Sequence, residues 1–388
     1  MPQSGRPIYL DHHATTPVDP RVLDAMLPYF REKFGNASSV NHPFGWEAAE
    51  AVETAREQIV ALLRTEPRSV IFTSGATEAN NLAIKGLLQA APPGSHVVTT
   101  AAEHRSVLDP IRRLARRGTE ITIVGVDAFG RVSCDAIAQA IRPNTVLVST
   151  IWANNEVGSL NPIRELSQLC HERGVLFHTD AVQAVGKIEV DLDDLLVDLL
   201  SASAHKLYGP KGVGILFVRR GQKSIPIEPL LDGGGHEQRL RSGTLPVPLI
   251  VGFGEACRIA AAELTAEAER LLALRERLWT GLQKAIDGVV LNGHPTERLP
   301  GNLNVSFEGV DGEALMTSLS GIAVSSGSAC TSADPEPSNV LRAMGRSDAL
   351  TRASLRFGLG RTTTAAEIDT AISAVAATVA RLRDAARK

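Results

Sequence analysis

Short β-rich runs alternate with helix-length amphipathic stretches over the first two-thirds of the chain. Residues 69–74 (SVIFTS) form an apolar, β-branched run that ends in small residues, and residues 76–90 follow with helical spacing. Residues 96–100 (HVVTT) read as a strand and 107–117 as a helix. Further strands are expected at 145–150 (TVLVST), 175–179 (VLFHT) and 213–218 (VGILFV), with a helix over 163–173. Strands alternating with helices of about ten to fifteen residues imply βαβ units and a mostly parallel, buried sheet, hence an α/β fold.

The pattern changes after this. From residue 248 to about 286, apolar residues recur at three- and four-residue intervals with Glu and Arg on the other face, which predicts one long helix. A strand at 302–307, a helix near 312–320, a strand at 353–358 and a last helix over 365–383 complete an α+β pattern. We therefore expect a large domain over residues 16–260 and a smaller α+β domain formed by 1–15 and 261–388. No internal repeat or low-complexity linker interrupts the chain.

The bulk numbers fit this picture. A chain of 388 residues exceeds one small core, and 44% apolar with 21% charged residues supports a sizeable interior. A net charge of −3 gives no electrostatic case for nucleic acid or an anionic membrane. The cluster Arg112, Arg113, Arg116 and Arg117 reads as a solvated helix face. The N-terminus lacks a charged start followed by an apolar region, so no signal peptide is expected, and no apolar run approaches membrane-spanning length. The cysteines Cys134, Cys170, Cys257 and Cys330 show neither CxxC nor zinc-like spacing, and their sparseness suits a reducing cytoplasm.

Three segments carry candidate chemistry. Lys206 closes S-A-S-A-H-K directly after an apolar run and precedes Tyr208-Gly209-Pro210. That context suits a strand-end site, where open α/β sheets bind ligands; a surface lysine is the plain alternative. Asp180 ends the strand at 175–179, and an acid there needs a cation or strong donors. A protonated pyridinium nitrogen is one such partner; a helix N-cap is another reading. Ser74-Gly75-Ala76-Thr77-Glu78 runs from strand through a small-residue turn into a helix start. Such a turn offers N–H groups to a phosphate, although a capping box has the same appearance.

Taken in order, the chain's motifs resemble the cysteine desulfurases, in the NifS/IscS-like branch of the class V pyridoxal-phosphate-dependent aminotransferase family. The resemblance rests on Tyr9-Leu10-Asp11 with Ala14-Thr15-Thr16-Pro17, Phe34-Gly35-Asn36, residues 73–78, Glu103-His104, Asn154-Asn155-Glu156, and residues 180–183. It continues through Ser203-Ala204-His205-Lys206, Arg241-Ser242-Gly243-Thr244-Leu245, residues 325–331 and Arg356-Phe357. It implies a fold-type I homodimer with pyridoxal 5'-phosphate (PLP) in the large domain and L-cysteine as substrate. Lys206 is then the Schiff-base lysine, which also moves the α-proton. Asp180 pairs with the pyridine nitrogen, Gln183 reaches the ring hydroxyl, and His104 stacks on the ring. Ala76, Thr77, Ser203 and His205 hold the phosphate, joined by Thr244 from the neighbouring subunit. Asn155 contacts cofactor and substrate, and Arg356 with Asn36 grips the substrate carboxylate, which suits a guanidinium fork.

Residues 325–337 (SSGSACTSADPEP) have no hydrophobic period and are small, polar and Pro-punctuated, so a loop is expected. Cys330 there is an accessible thiol, and the resemblance makes it the catalytic nucleophile that takes sulfur as a persulfide on a loop spanning about 321–338. The sulfur would pass to an iron–sulfur scaffold or another acceptor protein. The spacing establishes no standing metal site, and a transient iron–sulfur ligand role for Cys330 stays open. The chain departs from the family pattern at Ala37 and at Trp152-Ala153, and Lys388 ends it without the longer tail that resembles a scaffold-docking element. A selenocysteine lyase or aminotransferase on the same fold is the first alternative, and a non-catalytic persulfide carrier the second.

Overall fold

The computed structural model describes residues 5–221, 224–326 and 337–387. A two-residue strand, β1 (Ile8–Tyr9), opens the chain. Seven strands then build the central sheet: β2 (Val70–Thr73), β3 (His96–Thr100), β4 (Glu120–Val124), β5 (Thr145–Ile151), β6 (Leu176–Asp180), β7 (Leu199–Ser203) and β8 (Gly214–Val218). Their spatial order is β2-β8-β7-β6-β5-β3-β4. β8 runs against β2 and β7, and the other pairings are parallel.

Both faces of the sheet are covered, and the two-residue period of a strand divides its side chains between them. Phe72, Val98, Val148, Leu200 and Phe217 enter one core with residues of helix Pro43–Leu63 and the first part of helix Val247–Ala285. Their neighbours Ile71, Val97, Leu147, Leu199 and Leu216 enter the other, under helix Arg105–Ala115 and the helical run that starts at Ala76. That run passes through a π turn, Leu82–Gly86, and closes at Leu87–Ala90.

A second, antiparallel sheet follows, with β9 (Val289–Asn292), β10 (Asn302–Phe307) and β12 (Ser354–Gly358) in the order β12-β10-β9. β11 (Ile322–Ala323) pairs in parallel with β1. This sheet shares a core with helix Ala365–Ala386 and with Leu271, Leu274, Leu278 and Leu282 of the long helix. The 39-residue helix therefore serves both regions: Ile250 to Ala260 pack on the central sheet, and Leu271 onward on the second.

Several elements have no counterpart in the periodicity read above, and two of them show why. β4 is an edge strand with exposed or half-buried side chains, so it shows no continuous apolar run. Helix Pro43–Leu63 buries the small residues Ala48, Ala51 and Ala55 along its first half, so its stripe stands out weakly there although Ile59, Val60 and Leu63 are buried near its end.

Candidate active site

The carboxyl ends of β2, β3, β5, β6 and β7 face one cavity of about 560 Å³. Gly75 follows β2, His104 follows β3, Asn155 follows β5, Asp180 ends β6, and Ser203 to Lys206 close β7. Parallel pairing brings these strand ends to one edge, where an open α/β sheet offers its crevice.

Lys206 stands on a 3-10 turn, Ala204–Lys206, and Nζ donates to the carbonyls of His13 at 2.8 Å and Ala14 at 2.6 Å. The same N-terminal arm holds the turn from the other side. The Thr16 hydroxyl donates to the His205 carbonyl at 3.0 Å, and Thr15 Oγ1 lies 3.1 Å from His205 Nδ1. Gln183 donates to the His13 carbonyl at 2.9 Å and accepts from Lys187. Burial pushes the Lys187 ammonium down to about 7, with the nearby Lys206 charge acting in the same direction.

Asp180 is buried, and its carboxylate is held at both oxygens. Oδ1 accepts from Val182 N at 3.1 Å and Oδ2 from Asn80 Nδ2 at 2.7 Å. No helix follows it, so the Val182 contact is a local turn rather than a helix cap. His104 caps helix Arg105–Ala115, its Nδ1 accepting from Ser106 N at 3.1 Å. The neighbouring Glu103 receives Thr100 Oγ1 at 2.7 Å and Ile151 N at 2.8 Å on one oxygen, and burial pushes its carboxyl up to about 8.

The turn after β2 is not a capping box. Its cap is Gly75, which has no side-chain acceptor, while Glu78 accepts from Ser74 N and from Arg241. Gly75 has φ +147°, a left-handed conformation that a side chain would strain. The first N–H groups of this helix start, at Ala76 and Thr77, border the cavity together with Ser203 and His205.

Arg356 reaches the cavity from the second sheet, on β12. Its guanidinium donates to Asn155 O at 2.9 Å, Asp11 Oδ1 at 2.9 Å and Ser325 Oγ at 3.1 Å, and Nε is buried without a partner. Asn36 and Thr244 are exposed and do not line this cavity; Thr244 was expected to reach it only from a neighbouring subunit. Cys330 lies outside the described residues. The described flanks meet the cavity's border, through Ser325 on Arg356 and through Ser338, which donates to Glu156. Burial pushes the Glu156 carboxyl up to about 7. The other three cysteines are poor thiolates, with burial raising Cys134 and Cys257 and lifting Cys170 to about 12. The sequence reading did not single out Asn80, Ser106, His13 or Glu156. His13 and Glu156 stand inside or beside quoted motifs, whereas Asn80 and Ser106 gain meaning only through their contacts.

An amine, a donor-held acid, an imidazole and an uncapped helix start on one cavity form a set that fits a phosphorylated aromatic aldehyde. Among the described residues, no group of three or more His, Cys, Asp or Glu is arranged to hold a metal.

The Aminotransferase class-V family model matches residues 8–370. The chain belongs to the class-V aminotransferase family. Within that family it is 54% identical over 379 residues to "Cysteine desulfurase IscS" of Anaeromyxobacter sp. (strain Fw109-5), covering 97% of this chain and 94% of the relative. It is 50% identical over 387 residues to "Cysteine desulfurase, mitochondrial" of Arthroderma benhamiae, covering 99% of this chain and 76% of the relative. Among solved structures, a "NIFS-LIKE PROTEIN" superposes with a TM-score of 0.90 at 37% identity, covering 97% of this chain and 100% of that one. "SspA in complex with cysteine" superposes with a TM-score of 0.81 at 38% identity, covering 91% and 98%. The architecture is that of the fold-type I enzymes, with a mostly parallel central sheet.

Proposed function

We propose that this chain is a PLP-dependent cysteine desulfurase that converts L-cysteine to L-alanine and leaves the sulfur as a persulfide on Cys330. The observation that carries the reading is the convergence of Lys206, Asp180 and His104 on one cavity from the carboxyl ends of three parallel strands, β7, β6 and β3. PLP, when bound, supplies an electron sink and a carbonyl carbon for an amine.

The chain's own groups supply the rest. Lys206 Nζ would be the amine that holds the cofactor's carbonyl carbon, and it is placed to carry the α-proton. The carbonyls of His13 and Ala14 fix where that nitrogen stands. Asp180 would hold the pyridine nitrogen, Gln183 the ring hydroxyl and His104 the ring. The N–H groups at Ala76 and Thr77, with Ser203 and His205, receive the phosphate. Arg356 orients the substrate carboxylate, and Asn155, whose carbonyl Arg356 already holds, stands between substrate and cofactor. The Cys330 thiolate then attacks the substrate sulfur: the new S–S bond forms as the C–S bond breaks, and the released carbon takes a proton to become alanine. Cys330 comes four residues after Ser326, within about 14 Å of it along an extended chain; among the described cysteines, Cys170 and Cys257 are buried and Cys134 is held above its ordinary value.

We take the functional unit to be a homodimer. Phe34, Phe44 and Trp46 are more than half or half exposed, with Val40 at 74%. Such a patch calls for a partner surface, and it adjoins Asn36, which with Thr244 completes the site in this reading. A domain boundary near residue 260 is supported by the long helix, whose residues up to Ala260 pack in one core and from Leu271 in the other. The persulfide's acceptor is an iron–sulfur scaffold or another thiolation partner, in a compartment reducing enough to keep Cys330 a thiol. No helix among the described residues is long and apolar enough to cross a membrane.

The test is stoichiometric. Purified protein should show a visible cofactor band and form alanine and sulfide in equal amounts from cysteine with a thiol present, with Cys330 gaining one sulfur by mass spectrometry. Cys330→Ser should keep the band and release no sulfide. Amino transfer to a keto acid without sulfide would favour the aminotransferase alternative, and absence of bound PLP would favour the non-catalytic carrier.

A further inference from the structure

Asn80 is fully buried on the helix start that follows β2, and no step proposed above uses it. Its Nδ2 donates to Asp180 Oδ2 at 2.7 Å and to Ser106 Oγ at 2.8 Å. That accounts for both N–H bonds of the amide. Its Oδ1 is buried without a partner. Exchanging oxygen and nitrogen would set a carbonyl against the Asp180 carboxylate, so chemistry fixes the orientation.

Ser106 extends the connection. Its Oγ lies 2.7 Å from His104 Nδ1, and its backbone N–H reaches the same nitrogen at 3.1 Å. A backbone N–H can only donate, so Nδ1 is an acceptor. The Ser106 hydroxyl therefore gives its proton to Nδ1 and accepts from Asn80. One hydrogen-bond chain thus runs Asp180–Asn80–Ser106–His104 across three separate elements. A buried carbonyl left without a partner is costly, and an apolar side chain at this position would avoid that cost. What asparagine adds is two uncharged N–H donors on a single atom, and both are used.

We propose that Asn80 and Ser106 are positioning residues that register the Asp180 carboxylate against the His104 imidazole before any cofactor binds, with His104 in the tautomer that carries its proton on Nε2. The role assigned to this pair rests on reading the cavity as a PLP site, whereas the hydrogen-bond chain itself needs no cofactor.

Four variants test it: Asn80→Leu, Asn80→Asp, Ser106→Ala and Ser106→Thr. The readouts are the Kd for PLP, from titrating cofactor-free protein and following the visible band; the pH dependence of that band; and the ring ¹⁵N shifts of His104. Asn80→Leu and Asn80→Asp should weaken PLP binding about tenfold or more, as expected for losing a donor to a charged group. Ser106→Ala should move the His104 ring nitrogens away from the Nε2–H pattern and shift the band's pH midpoint, and Ser106→Thr should restore both. Wild-type Kd, band and ring shifts throughout would overturn the proposal. If the Asn80 variants fail to fold, the Ser106 pair decides it alone. If wild-type protein forms no visible band with PLP, the cofactor reading fails. The ¹⁵N pattern of cofactor-free protein still decides the hydrogen-bond chain, and a His104 already protonated on Nδ1 there would refute it.

Discussion

The cavity has two unlike walls. One comes from the central sheet, where Asp180, His104 and Lys206 stand at the carboxyl ends of parallel strands and are held within their own region or by the N-terminal arm. The other is Arg356, delivered by the second sheet and tied across to Asp11 and Asn155. The first wall is set by backbone register. The second depends on how two cores meet along one helix. In the proposed reaction the first wall serves the cofactor and the second the substrate, so damage to each should separate in binding measurements.

The largest effect should come from the first wall. Lys206→Ala should abolish covalent cofactor attachment and lower desulfurase turnover by about 10³-fold or more, read by absorbance and alanine formation. An unchanged cofactor band in that variant would dissolve the assignment.

Glu103 gives the same wall a pH signature. Its folded-state value, about 8, lies above the ordinary carboxyl value of 4.5. The protonated form is therefore favoured by folding. Its contribution is fully present below about 4.5 and is lost as pH rises through about 8. Glu103→Gln keeps an uncharged acceptor for Thr100 and Ile151, and should remove up to ~5 kcal/mol of the stability decline across that window. Urea midpoints at several pH values measure it. Glu156, which titrates in the same direction, is left intact, so the slope should fall without vanishing.

Leu278→Ala probes the second core directly. Leu278 is fully buried there, and the change should cost ~3 kcal/mol in unfolding free energy. If the walls are independent, the KM for cysteine should rise more than the Kd for PLP. Equal changes in both would merge the two walls into one unit. Arg356→Lys should be the mildest, raising the KM for cysteine about tenfold while PLP affinity holds, because an ammonium cannot reproduce the bidentate fork.

Legibility in the sequence divides along the same line. β2, β3, β5, β6 and β8 were readable because strands buried on both faces write continuous apolar runs. Lys206 and Asp180 were readable as breaks at the ends of such runs. β4 and helix Pro43–Leu63 were not, since an exposed edge and an alanine stripe leave weak patterns. Asn36 and Thr244 were named from motif alone, and neither lines the cavity of the single chain.

The sequence by itself determined the α/β class, the family and the residue types available for chemistry. Local spacing suffices for the class, because strand and helix periods are short-range properties of the chain, and ordered short motifs carry the family. Only the tertiary structure decided that the arm at His13 and Ala14 would grip Lys206, that Asn80 and Ser106 would link Asp180 to His104, and that Arg356 would cross from the second core. Those contacts join residues far apart in sequence, 193 positions for His13 and Lys206 and 100 for Asn80 and Asp180. No periodicity encodes such meetings. They follow from strand register and from two cores packing on one helix.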